Sequence, residues 1–162
     1  MPAKWKLFRV ICVLQMLIAS VYAIMALINV AIYGFWALLI VLVFVLIFLL
    51  AVLGINILND NYPNTPVTGR QKTRFNRLFL LNFLFLFVLF CMLFIEIRAA
   101  RLIIRITHKP VLELPYELFV DLIGIVLTLL FQFIILYGLY TLRNELYMNF
   151  MKKQFEFEKD QA

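Results

Sequence analysis

The sequence predicts an all-α integral membrane protein: a bundle of four transmembrane helices, both termini cytoplasmic, with an amphipathic segment between the third and fourth helices. Three observations lead there. Hydrophobic residues make up 65% of the 162-residue chain and charged residues only 15%, where a soluble domain is about half apolar and a quarter charged. A soluble domain of this size leaves much of its surface in water and has no room to bury that excess. The apolar residues fall in four long unbroken runs, and the basic residues gather at their ends. This composition excludes a soluble enzyme, a disulfide-stapled secreted domain and a disordered tail. The runs do not alternate polar and apolar residues, which excludes membrane β-barrel strands.

The first span is read at about 7–32, the second at 35–58, the third at 78–97 and the fourth at 118–142. Each is long enough to cross about 30 Å of hydrocarbon at 1.5 Å per residue. Lys4, Lys6 and Arg9 precede the first run, and Val21-Tyr22-Ala23 imitates a signal cleavage site. The run continues to Ile32, too long for a signal core, so an uncleaved first span is expected. Tyr33-Gly34 makes a tight, uncharged hairpin to the second span, with Gly34 supplying backbone freedom. Residues 59–77 (NDNYPNTPVTGRQKTRFNR) read as an irregular cytoplasmic loop, rich in asparagine and proline, with Arg70, Lys72, Arg74 and Arg77 in its second half. Residues 98–115 form the polar connection and 143–162 a cytoplasmic tail.

Orientation follows from the basic residues. With the N-terminus inside, eleven Lys/Arg lie on that side, against four on the other: Arg98, Arg101, Arg105 and Lys109. The net charge of +6 therefore reflects topology and needs no nucleic-acid partner. A plasma or inner membrane is the expected location.

Helices in lipid associate through small residues and a few polar contacts. Gln15, Ala19, Tyr22, Ala26 and Asn29 share one face of the first span. Glu117, Asp121, Gly124, Thr128 and Gln132 share one face of the fourth, and the two faces are expected to meet as a packing seam. The second span, almost pure Leu/Val/Ile/Phe from 38 to 53, is expected to face lipid over most of its length. In the third span six phenylalanines surround the helix, and Asn82 is its one strongly polar residue. Such a helix meets either lipid or another chain. Cys12 and Cys91 lie at different depths and read as apolar fillers, not a disulfide.

Chemistry, if any, belongs to the connection between the third and fourth spans. Arg98, Arg101 and Arg105 follow helical spacing, with Glu96, His108, Glu113, Glu117 and Asp121 around them; the third helix either runs on to about Thr107 or bends onto the membrane surface as an amphipathic segment. Ion pairing within this cluster is the plainest reading. Headgroup binding by the guanidiniums is a second. Proton relay or catalysis through Glu96, Asp121 and His108 is a third. His108 is the only histidine, which excludes a bis-histidine haem within one chain and any histidine-cluster metal site. No cofactor is expected. The best-fitting role is a small accessory or scaffold subunit contacting membrane lipids and larger subunits. The alternatives are a homo-oligomeric channel using the fourth-span stripe and a membrane-embedded lipid enzyme.

Overall fold

A computed structural model describes residues 2–62, 69–107 and 116–161. Every described element is a helix: α1 (Ala3–Ile28), the single turn α2 (Val30–Tyr33), α3 (Phe35–Asn61), α4 (Gly69–Thr107) and α5 (Tyr116–Gln161). Four stretches are long and apolar enough to cross a membrane: Ala3–Ile32, Phe35–Asp60, Thr73–Thr107 and Leu118–Lys152. The outer face of each carries a run of exposed large apolar side chains. Apolar surface this continuous belongs in lipid.

Each long helix buries a row with alternating steps of three and four residues. In α1 the row is Trp5, Phe8, Cys12, Gln15 and Ala19; in α3 it is Phe44, Ile47, Ala51, Gly54 and Leu58. In α4 it is Phe75, Leu78, Asn82, Phe85 and Leu89; in α5 it is Thr128, Gln132, Ile135, Leu139, Leu142 and Leu146. This mean period of 3.5 is the seam spacing of left-handed helix bundles. Each helix packs beside its neighbour in the order α1, α3, α4, α5 and back to α1. The α1–α3 side is the most extensive and the α3–α4 side the slackest.

The α1–α3 hairpin turns where the sequence places it. Asn29 interrupts α1 only slightly, since its backbone N–H still donates to the Met25 carbonyl at 3.2 Å. Its side-chain amide donates to the same carbonyl at 3.1 Å, the local competition that weakens helices at asparagine. Gly34 then adopts φ 52°, which a residue with a Cβ resists.

The helix ends and one packing face differ from the sequence reading. The 59–77 link is shorter than expected, because α3 runs on to Asn61 and α4 begins at Gly69. Polar helix formers beyond Gly69 extend α4 ahead of its apolar run. At the other end α4 continues unbroken through Arg98, Arg101 and Arg105 to Thr107, the first of the two readings the sequence allows there. The α5 helix likewise runs through the expected tail to Gln161. At 1.5 Å per residue α4 is about 58 Å long and α5 about 69 Å, so both project well beyond a bilayer core. The second span also packs more than expected. One face of α3 buries Phe44, Ile47, Leu50 and Ala51, while Leu38, Leu42, Val45 and Leu49 stay exposed.

Candidate functional site

Three sets of polar side chains stand out: an amide seam inside the bundle and a basic cluster at each end of α4.

The seam is built by three helices. Asn82 on α4 donates its amide N–H to the Leu78 carbonyl at 2.8 Å, which leaves its Oδ1 as an acceptor. Gln132 on α5 donates to that Oδ1 at 2.7 Å. Gln132 Oε1 in turn accepts from Gln15 Nε2 on α1 at 3.3 Å, and Gln15 Nε2 also reaches the Thr128 carbonyl at 3.3 Å. The first bond thus orients each amide after it. Gln15, Asn82, Thr128 and Gln132 are at most 1% exposed. Gln15 Oε1 and Thr128 Oγ1 are buried without a hydrogen-bond partner, a local cost borne by the surrounding packing.

The seam continues toward the hairpin end. Tyr22 donates its hydroxyl to the Val120 carbonyl at 2.6 Å and stacks on Phe44 with centroids 5.2 Å apart. Gly124 is buried directly beneath Tyr22, and a Cβ there would overlap the phenol ring. Ala19 is buried, and Ala26 and Asn29 are half-buried. Asn29 spends its amide within α1. Sequence reasoning missed Asn82, reading it on a helix facing lipid or another chain; its step to Leu78 and Phe85 was the signal. It also missed the Gly138–Phe8 contact, where a Cβ would again meet an aromatic ring.

At the end of the bundle holding the N-terminus, polar side chains link neighbouring helices. Lys4 pairs with Glu145, Arg9 bonds Asn59, and Arg74 pairs with Asp60 at 3.5 Å. Trp5 is buried among Phe8 and Tyr62, with the Lys4 ammonium over its ring. These exposed pairs contribute little individually.

At the far end of α4, Arg98, Arg101 and Arg105 are all exposed, and the Arg98 guanidinium sits 4.9 Å from the Phe94 ring centroid. Among the described residues the ion pairs are Lys4–Glu145 and Arg74–Asp60, so neither joins this arginine row. Glu96 and Asp121 are half-buried. His108 and Glu113 lie outside the described residues, and Glu117 falls in the first turn of α5. Among the described residues no three His, Cys, Asp or Glu side chains gather as a metal site.

The arginine clusters have a simple spatial relation. Arg77 and Arg98 are separated by about 32 Å of helical rise, and the stretch between them holds one ionisable residue, Glu96. That separation matches a hydrocarbon core of about 30 Å. No protein-family model, curated protein or solved structure matches the chain.

Proposed function

We propose that this chain is a small non-catalytic accessory or scaffold subunit of a larger membrane complex, set with both termini in the cytoplasm and its arginine clusters against lipid headgroups. One observation carries the reading. The polar stripe of α5, which a pore would need, is turned into the bundle: the Gln132 side chain bonds to Gln15 and Asn82, and the Thr128 backbone carbonyl accepts from Gln15, all in a buried interior. Buried polar groups that join helices in this way specify register and partners between them. The outward phenylalanines of α4, Phe79, Phe83, Phe87, Phe90 and Phe94, offer the broad apolar face on which larger subunits pack.

The reading is tested by native mass measurement after gentle detergent extraction. The expected result is a fixed stoichiometry with one or more larger chains. A closed ring of identical copies would replace it with the channel reading. A stable monomer that turns over a lipid, losing activity on Glu96→Gln, would replace it with the enzyme reading.

A further inference from the structure

The slack side of the bundle is not featureless. Between α3 and α4, at the end carrying the N-terminus, lies a cleft of about 410 Å³. Its walls are Leu53 and Ile57 from α3 and Leu78 and Leu81 from α4, with Arg74 and Arg77 at its mouth. The helical extension of α4 creates this arrangement. In an irregular loop the arginines would have no fixed relation to the apolar run, whereas on α4 positions 74, 77, 78 and 81 follow one helical face. Arg70 holds the next register position toward the helix start.

We propose that this cleft binds one anionic phospholipid, with its phosphodiester on the guanidiniums of Arg74 and Arg77 and an acyl chain along Leu53, Ile57, Leu78 and Leu81. The charge fits. Asp60 pairs with Arg74 at 3.5 Å, and both side chains are more than half exposed, so that contact is weak and easily exchanged. Among the described residues Arg77 has no ion pair. The mouth therefore presents a net positive charge and two planar donors suited to phosphate. The position fits too. Arg77 is the last charged residue before the apolar stretch of α4, so the mouth lies at headgroup level while the leucine walls descend into hydrocarbon. Basic clefts between transmembrane helices at this depth are recognised lipid sites. The apolar wall is what distinguishes a lipid from free phosphate. This site is separate from the Arg98–Arg105 row and stands whether or not the chain is a subunit of a larger assembly.

The test uses the purified full-length protein in detergent, titrated with phosphatidylglycerol or with phosphatidylcholine of the same chains, and bound lipid read by native mass spectrometry. Phosphatidylglycerol should bind in preference. Arg77→Gln should weaken it about fivefold, and Arg74→Gln with Arg77→Gln about twentyfold. Lys6→Gln, an equal charge change on α1 away from the cleft, should leave binding unchanged. Leu81→Trp fills the apolar wall without altering charge and should also weaken binding, so the proposal stays testable if the double arginine variant fails to fold. Equal binding of the two lipids would overturn it, as would wild-type binding by the double variant or by Leu81→Trp. An equal loss in Lys6→Gln would show unlocalised surface charge, and displacement by excess inorganic phosphate would show a simple anion site; either result also overturns it.

Discussion

Gly54 and Gly124 both face α1 and meet it differently. A Cβ at Gly54 would touch Cys12 Sγ and the Phe8 ring at 3.7 Å, ordinary contact distances. Gly54→Ala should therefore be tolerated, and should stabilise by about 0.5–1 kcal/mol through helix propensity. Gly124 has Tyr22 against it, so Gly124→Leu must displace the ring and break its bond to Val120, at a cost of about 1–3 kcal/mol. Thermal unfolding of the two variants in one detergent compares them directly; equal midpoints would mean that Tyr22 moves aside freely. The amide chain makes a second residue-scale prediction. Asn82→Leu removes the 2.7 Å acceptor of Gln132 Nε2 and leaves it the residue-82 backbone carbonyl at 3.5 Å; it should cost about 1–2 kcal/mol, while Asn82→Leu with Gln132→Leu should cost less than the two single changes added. A double-mutant cycle giving zero coupling would mean that the 2.7 Å contact contributes no stability. The sequence made Gln15, Gly124, Thr128 and Gln132 legible because small and polar residues at helical spacing are conspicuous among leucines. Asn82 was hidden because it stands alone: one polar residue defines no face until the helix beside it is known.

At the scale of the element, the apolar cores of the helices were easier to read than their ends. Lipid-length hydrophobic runs are unambiguous, but a polar stretch beside proline and asparagine has two readings. Residues 69–77 contain no proline and polar residues that propagate a helix once it is nucleated by a long neighbour. The same holds from Arg98 to Thr107 and from Arg143 to Gln161. Thr73→Pro separates the readings. In a loop it would be silent, whereas inside α4 it removes a backbone bond and clashes with the preceding turn, costing about 3 kcal/mol. The expected outcome is loss of helical ellipticity and faster tryptic cleavage at Arg74 and Arg77. Unchanged ellipticity and cleavage would place the start of α4 after residue 73.

For the whole molecule, the central prediction is orientation. From the excess of basic residues at one end, the positive-inside rule predicts both termini and the 59–77 segment on the cytoplasmic side. A cysteine introduced at Thr68, in a background lacking Cys12 and Cys91, should react with an impermeant maleimide only after cells are permeabilised. Labelling of intact cells would invert the assignment, and with it the leaflet from which the α3–α4 cleft takes its lipid. The helix count was legible in the sequence, but the lateral order was not. Which side of the bundle is tight and which slack depends on how four similar seams divide a few aromatic and small residues among them. Trp5, Phe8 and Gly138 settle that division at one end of the bundle and carry little periodic signal of their own.

The spacing of the two arginine clusters along α4 also makes the helix a gauge of the membrane around it. Arg77 and Arg98 bracket about 32 Å, and guanidiniums resist being drawn into hydrocarbon at either end. In a thinner bilayer α4 relieves the mismatch by tilting, and with it the α5 helix packed along its side. In a thicker one the lipids beside it must compress. A chain built this way favours membranes whose hydrophobic span matches its own, which is a route to sorting that requires no address sequence.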